Sequence, residues 1–242
     1  MKLSVVIPAL NEEECIAVTV KALHDALLKN NIEHEILVIN DHSTDGTESV
    51  LKSLQEIATL RYINNESANG FGYAVRTGLE NFGGDCVAIF MADLSDSPDD
   101  LVLFYNKLQE GYDCVFGSRF IKGGKTIQYP IHKLLINRLA NFIVRIAFGI
   151  KYNDATNAFK LYSKEVIAGL KPFLSPHYNL TLELPLKVIV RGYSYAVLPN
   201  SWTNRKHGVS KLKINEMGSR YLFILLYCFI EKLFAKGDFK KR

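Results

Sequence analysis

Acidic side chains follow several of the apolar runs in the first half of the chain. Asp41 and Asp93 each come directly after such a run, and Glu12 lies just beyond a third. A carboxylate beside an apolar strand is costly unless a cation or a hydrogen-bond donor meets it. These three residues therefore predict a polar ligand site, whereas Asp45 and Asp99 in the neighbouring loops are explained as helix caps and turn formers.

The segments around these acids alternate between apolar strands and amphipathic helices. Strands are predicted at 3–8, 35–40, 60–64, 86–91 and 112–117, with helices at 12–29, 46–58, 72–81 and 98–109. This alternation predicts an α/β fold with a mainly parallel sheet that helices cover on both faces. In such sheets, ligands bind outside the carboxyl ends of the strands, where the acids lie.

The remaining elements are predicted from weaker patterns. Asn11 is predicted to cap the first helix, whose first turn would carry Glu12, Glu13 and Glu14 against the helix dipole. In the second half, helices are expected at 132–148, 180–191 and 213–234, and strands at 158–162 and 195–199. We expect one domain, residues 1–212, followed by an apolar and basic helix at 213–242.

The charge of the chain is divided unevenly between its halves. The first 120 residues carry 8 Lys and Arg against 19 Asp and Glu, whereas residues 121–242 carry 21 against 6. An acidic half that holds a cation, beside a basic half that meets phosphates or an anionic membrane, would produce this division. Uneven surface charge without a partner is the alternative. The composition, 48% hydrophobic and 22% charged, excludes a disordered chain and a disulfide-stapled miniprotein.

Cysteines and apolar runs indicate the compartment. No two of the four cysteines have metal-ligand or redox spacing, and Cys86 and Cys114 are expected to be buried thiols in a reduced, cytoplasmic protein. The sequence 1–14 does not have the pattern of a signal peptide. The longest uninterrupted apolar run covers residues 221–230, which is about half of what a membrane span requires.

Five short motifs occur in order across the first 120 residues. They are Pro8-x-x-Asn11-Glu12, Asn40-Asp41-x-Ser43-Thr44-Asp45-Gly46-Thr47, Asn69-Gly70-x-Gly72-x-Ala74, Ala92-Asp93-Leu94 and Gly117-Ser118-Arg119. Together they resemble the signature of family 2 glycosyltransferases, which implies the GT-A fold. Residues 154–160 and 205–211 resemble the D-x-T-S-G-F-R and R-x-x-G-x-S-K stretches of the dolichol-phosphate mannose synthase and polyprenyl-phosphate glycosyltransferase branch.

The resemblance implies a nucleotide-sugar site and a divalent cation, Mg²⁺ or Mn²⁺. The residues that it assigns to the nucleotide sugar are Pro8, Asn11, Glu12, Asp41, Gly70, Gly72, Ala92 and Asp93. Asp93 matches the second Asp of the family's metal-binding D-x-D, and Asp96 is a further candidate ligand. Met91 occupies the first position of that motif, and a thioether is a poor ligand for either cation.

The same resemblance implies inverting transfer of the sugar to a polyprenyl phosphate. A phosphate acceptor is already ionised at neutral pH and needs no general base. The residues implied in the transfer are Asp93, Arg119, Arg205 and Lys211, the last three as phosphate ligands; Lys133 lies near another such position. If the acceptor is instead a saccharide hydroxyl, as in surface polysaccharide synthesis, Glu183 is the candidate base.

The expected partners are a nucleotide sugar, a polyprenyl phosphate lipid and a membrane surface, with no nucleic acid. The C-terminal helix is apolar nearly all round and is followed by Lys236, Lys240, Lys241 and Arg242. Such a helix can lie in the membrane interface, which would place the protein on the inner face of a membrane. A buried helix or a dimer contact would show the same pattern. A non-catalytic nucleotide-sugar-binding module is the alternative that Met91 suggests.

Overall fold

The computed structural model describes residues 1–205 and 214–235, and for 214–217 the backbone alone. The strands are β1 (Leu3–Ala9), β2 (His34–Asn40), β3 (Leu60–Asn64), β4 (Cys86–Ile89), β5 (Cys114–Ser118), β6 (Lys125–Ile127), β7 (Lys160–Ser163), β8 (Tyr195–Pro199) and β9 (Ser201–Thr203). The helices are α1 (Ile16–Lys29), α2 (Thr47–Ser53), α3 (Phe71–Asn81), α4 (Pro98–Leu108), α5 (Ile131–Phe148), α6 (Lys164–Gly169), α7 (Leu180–Val190) and α8 (Ile214–Phe234).

Seven strands form one sheet in the order β3-β2-β1-β4-β7-β5-β8. β7 is antiparallel to both of its neighbours, and the other pairings in this sheet are parallel. Because successive side chains of a strand point to opposite faces, Val5 and Ile7 of β1 enter one core and Val6 enters the other. The predicted mainly parallel sheet with helices on both faces is confirmed. A second sheet, β6 paired with β9, was not predicted.

The predicted start of the first helix is wrong. α1 begins at Ile16, and Asn11 has a φ of 52°. The Asn11 amide donates to Ser43 Oγ over 2.9 Å, and its side-chain oxygen accepts from the Thr44 amide over 2.7 Å. The Glu12 amide donates to Thr47 Oγ1. These bonds join the loop after β1 to the loop after β2, so the segment is held by tertiary contacts instead of a helical turn.

α8 packs against the second core through one of its sides. Ile224 and Cys228 are buried there, and the buried Glu231 carboxylate pairs with Arg191 at the end of α7 over 2.7 Å. The opposite side of α8 is exposed and apolar. Within the described parts of the chain, no helix has the length and hydrophobicity needed to cross a bilayer.

Candidate active site

A cleft lies at the carboxyl ends of β1, β2 and β4, where the acids were expected. It has two adjoining parts that share Met91, Tyr178 and Arg205. The β1–β2 part is lined by five of the predicted nucleotide-sugar residues: Pro8, Glu12, Asp41, Gly70 and Ala92. The β4–α5 part is lined by Asp93, Asp96, Arg119 and Lys133. β1 lies between β2 and β4 in the sheet, so the loops that follow these strands converge on one edge.

Asp41 is fixed by donors from the loop that precedes α3. Its carboxylate accepts from the Gly70 amide over 2.9 Å and from Asn65 Nδ2 over 2.8 Å, and the residue is 2% exposed. These two donors offset part of the free-energy cost of burying the carboxylate. Asp41 is therefore rigidly oriented at the edge of the β1–β2 part.

Gly72 does not line either part of the cleft, so its predicted place in the nucleotide-sugar site is corrected. A Cβ on Gly72 would lie 2.4 Å from the carbonyl carbon of Pro176, and one on Gly70, which has a φ of 154°, would lie 2.8 Å from the Pro176 oxygen. Both glycines therefore permit close packing of α3 against residues 175–177. That packing places the ring of Tyr178, which stacks on Phe71 with centroids 4.4 Å apart, in the cleft.

Arg205 connects the two parts of the cleft through acidic side chains. Its Nε and Nη2 donate to Asp93 Oδ2 over 2.9 and 2.7 Å, and Nη2 also donates to Glu12 Oε1 over 3.3 Å. Burial lowers the pKa of Arg205, but the charges of Asp93 and Glu12 outweigh that effect and raise it. The arrangement keeps a permanent cation beside the strand-end acids.

Asp96 is the second acid of the β4–α5 part. It is 3% exposed, and its Oδ1 accepts a 3.4 Å hydrogen bond from Asn200 Nδ2. Burial raises the pKa of Asp96 to about 8 despite the opposing charge of Arg119, and Asp93 adds to the rise. A positive charge placed between the two carboxylates would relieve this cost.

The oxygen donors of this part fit a divalent cation that the substrate helps to hold. Asp93 and Asp96 line the cleft together with Ser95, whose amide donates to Asp93 Oδ1 over 3.1 Å. Among the described residues, no cluster of three or more acidic, histidine or cysteine side chains is arranged to hold a metal by itself. Mg²⁺ is commonly held by one or two carboxylates with substrate phosphates and water, and the donors of this part match that set.

Arg119 is oriented by Asp154. Arg119 Nε and Nη2 donate to the two Asp154 carboxylate oxygens over 2.8 and 2.7 Å, and the Arg119 amide donates to Oδ2 over 3.0 Å. Asp154 is fully buried, while Arg119 is 8% exposed and lines the cleft. This bidentate pair fixes the guanidinium plane at the wall of the cleft.

The geometry does not favour Glu183 as the candidate base for a hydroxyl acceptor. Glu183 is fully buried, accepts from the Leu174 and Ser175 amides over 2.8 and 2.7 Å, and pairs with the equally buried Lys187 over 2.6 Å. It lines neither part of the cleft. A base must come within hydrogen-bond reach of the proton it removes, so Glu183 is a structural residue.

The structure does not bring two other predicted residues, Asn11 and Lys211, into the described lining of the cleft, for different reasons. The Asn11 side chain bonds to the loop after β2 and lines neither part. Lys211 falls outside the described residues.

Sequence reasoning missed the aromatic and amide side chains of the β4–α5 part. Tyr129 and Trp202 meet edge to face with centroids 4.8 Å apart, and Asn137 Nδ2 of α5 donates to Thr156 Oγ1 over 2.8 Å. Tyr221 of α8 lines the same part. These residues come from distant segments without local motifs. Only the D-x-T-N stretch at 154–157 carried a signal for any of this group.

His42 has a strained backbone conformation beside the cleft. Its φ is 60°, its side chain is 45% exposed, and it lines neither part of the cleft. His42→Gly is expected to raise the free energy of unfolding by about 0.5–1 kcal/mol, because relief of the left-handed strain exceeds the added chain entropy. Urea denaturation measures this value. His42→Asn, whose side chain tolerates the same φ, should raise the free energy of unfolding less. A glycine variant that is less stable than wild type would show that the backbone of His42 is not strained.

Comparisons with known proteins agree with this geometry. The profile of Glycosyl transferase family 2 matches residues 4–170. A dolichol-phosphate mannosyltransferase of Pyrococcus furiosus is 31% identical over 219 residues, covering 88% of this chain and 60% of the relative. A polyprenol monophosphomannose synthase of Mycolicibacterium smegmatis is 28% identical over 215 residues, covering 86% and 80%. The chain thus spans less than two thirds of the length of the Pyrococcus relative.

A solved structure shares the fold. The glucosyl-3-phosphoglycerate synthase of Mycobacterium tuberculosis, in complex with Mn²⁺, UDP-glucose and phosphoglyceric acid, superposes with a TM-score of 0.71 at 21% identity, covering 94% of this chain and 79% of that one. This likeness confirms the GT-A type of fold that the motifs implied. The match of the family profile to more than half of the sequence shows that the chain belongs to glycosyl transferase family 2.

Proposed function

We propose that the protein is an inverting glycosyltransferase that moves a sugar from a nucleotide diphosphate sugar to a polyprenyl phosphate. The observation that carries the proposal is the two-part cleft, in which strand-end acids and cationic side chains meet at Arg205. The names of the two relatives support a polyprenyl-type phosphate as acceptor and mannose as the sugar.

The β1–β2 part is proposed to bind the nucleotide. Asp41 offers a fixed carboxylate edge to the N–H groups of a base, with Pro8 and Gly70 beside it. Phe71 and Tyr178, stacked on each other, close one side with aromatic surface. The base and the ribose would thereby be held away from the reacting bond.

The β4–α5 part is proposed to hold the diphosphate and the acceptor. Asp93 and Asp96 would hold Mg²⁺ or Mn²⁺ together with the diphosphate oxygens. When bound, such an ion supplies positive charge that stabilises the departing nucleoside diphosphate. Arg205 can turn from Asp93 to a phosphate oxygen without leaving the cleft, because it already contacts both parts.

The acceptor needs orientation more than activation. Arg119, fixed by Asp154, and Lys133 of α5 place positive charge on the cleft wall. They would hold the acceptor phosphate so that one of its ionised oxygens attacks the anomeric carbon opposite the diphosphate, which inverts the configuration. Peripheral attachment to the inner face of a membrane would give access to such a lipid.

A saccharide hydroxyl is the second candidate acceptor. This route needs a base, and among the acids considered Asp96 lines the cleft whereas Glu183 does not. A non-catalytic nucleotide-sugar-binding module is the third candidate function. It is suggested by Met91, which replaces the first acid of the family's metal-binding D-x-D motif.

The test is a panel of nucleotide sugars, labelled in the sugar and led by nucleotide-activated mannose, with two matched acceptors. One acceptor is polyprenyl phosphate in detergent, and the other is the unphosphorylated polyprenol. The proposal expects organic-soluble label with the phosphate alone. Label on the polyprenol or on a saccharide would favour the hydroxyl route. Donor binding by calorimetry without turnover on any acceptor would favour the binding module.

Removal of divalent cations is expected to abolish turnover. EDTA should lower the rate by at least about 100-fold, because the charge of the departing diphosphate would be left without its principal stabilisation. Excess Mg²⁺ or Mn²⁺ should restore the rate, whereas Na⁺ at equal ionic strength should not. Full activity in EDTA would show that Arg205 and the other cationic side chains suffice.

A further inference from the structure

The exposed apolar side chains of the described residues are concentrated on two helices. Of nineteen large exposed hydrophobic residues, thirteen belong to α5 and α8. On α5 they are Ile131, Leu135, Ile136, Leu139, Phe142, Ile143 and Ile146, and on α8 they are Leu222, Phe223, Leu226, Ile230, Leu233 and Phe234. We call these thirteen residues the α5–α8 platform. Exposed apolar surface on this scale marks an interaction site.

The two helices lie side by side on the same core. Val144 and Phe148 of α5 are buried in one cluster with Ile224 and Cys228 of α8. Phe148 and Phe229 meet edge to face with centroids 6.1 Å apart, and Lys232 Nζ donates to the Phe148 carbonyl over 2.8 Å. Since both helices bury one side against the same core, their exposed sides form one continuous face.

Among the side chains that the structure describes, the exposed and half-buried charged groups of α5 and of the loops on either side of it are all cationic. Residues 114–153 contain no Asp or Glu. Apart from Arg119, which is buried against Asp154, their cationic residues are exposed or half-buried: Lys122, Lys125, Lys133, Arg138, Arg145 and Lys151. On α8, the Glu231 carboxylate is buried against Arg191 and does not reach solvent. An apolar face with cationic side chains at its border is complementary to an anionic lipid surface.

The same charges disfavour a second copy of the chain as the occupant. A twofold dimer brings identical surfaces together, so the cationic border would face itself. The platform also adjoins the cleft, because Lys133 and Asn137 of α5 and Tyr221 of α8 line its β4–α5 part. A lipid surface on this face would lie next to the proposed acceptor site.

We propose that the α5–α8 platform seats in the interface of an anionic bilayer, so that a membrane-embedded acceptor can pass its phosphate along α5 into the cleft. The seating rests on the platform alone, whereas the delivery of an acceptor rests on the proposed function. Lys133 and Asn137 are thus on the wall that an arriving phosphate meets, while the apolar tail stays in the bilayer.

Sedimentation with lipid vesicles tests the seating without donor or acceptor. The wild-type protein should bind vesicles of phosphatidylglycerol and phosphatidylcholine, bind pure phosphatidylcholine more weakly, and lose affinity as salt rises. The double variant Leu139→Glu, Ile146→Glu should bind about 100-fold more weakly, because two side chains lose their apolar burial. Its matched control is the double variant Leu28→Glu, Leu103→Glu on α1 and α4, which should bind like wild type. Leu28 and Leu103 are 61% and 55% exposed, and Leu139 and Ile146 are 61% and 66% exposed.

Turnover on a water-soluble, short-chain prenyl phosphate separates the two proposals. Both double variants should retain this turnover, and the platform variant alone should lose turnover on long-chain acceptor in anionic vesicles. The milder Leu139→Ser, Ile146→Ser pair provides the same test if the charged pair lowers the melting temperature. Vesicle binding without turnover on either prenyl phosphate would support membrane seating of the platform and contradict the proposed function. Failure of the wild type to bind, equal binding by the platform variant, or a lipid-free dimer that this variant dissociates would overturn the platform.

Discussion

Asp93→Asn is expected to lower the turnover number for sugar transfer by about 100- to 1,000-fold at saturating donor, acceptor and Mn²⁺. The amide keeps the shape of the carboxylate but removes the charge that Arg205 now pairs with and that a divalent cation would need. Because that charge matters most as the diphosphate departs, the effect should fall on kcat more than on the KM of the donor. Steady-state kinetics with Mn²⁺ titration measure both.

The matched control is Asp99→Asn. Asp99 is an exposed carboxylate in the first turn of α4, six residues from Asp93 in the sequence, and it lines neither part of the cleft. This variant should keep turnover and Mn²⁺ dependence close to wild type. Equal turnover numbers and equal Mn²⁺ affinities for Asp93→Asn and wild type would show that the reaction does not use this acid.

Glu183→Gln is expected to destabilise the fold by about 3–5 kcal/mol while leaving the kinetics of the folded protein nearly unchanged. The variant leaves Lys187 buried without its counter-ion, and an amide nitrogen would face the Leu174 or the Ser175 amide as donor against donor. Urea denaturation gives the stability, and turnover per folded molecule is measured below the transition.

The double variant Glu183→Gln, Lys187→Met is the control for that interpretation. Removing both charges of a buried pair is far less costly than removing one, so the double variant should recover much of the lost stability. If Glu183→Gln instead melts like wild type and has no turnover, Glu183 is the base after all, and the acceptor is a hydroxyl.

The main strands of the large sheet could be predicted from the sequence, because each is a local and nearly continuous apolar run. β1, β2 and β4 each appear within two residues of their predicted bounds, since burial on both faces demands such runs. β6 and β9 were missed, because three-residue strands that pair across 76 positions leave no local period. The acids of the Glu12–Glu14 segment suit the first turn of a helix and therefore predict one. In the structure the Glu12 and Glu13 amides instead donate to Thr47 and Asp45 of the loop after β2.

The site was predicted as far as it depends on strand ends. Asp41 and Asp93 come to the cleft because their positions follow directly from where β2 and β4 end. The positions of Gly72 and Glu183 relative to the cleft could not be predicted locally, because both residues pack against the 174–176 segment. The aromatic wall of the cleft was not foreseen for the same reason.

A crystal of the protein grown with Mn²⁺ and a nucleoside diphosphate tests the central claim most directly, through the anomalous scattering of the metal. The account predicts one peak within coordination distance of Asp93 and of the diphosphate oxygens, with the base beside Asp41 and Arg205 turned from Asp93 to a phosphate. A nucleotide bound away from the ends of β1, β2 and β4, or an Asp93 still paired with Arg205 and no peak beside it, would contradict the account.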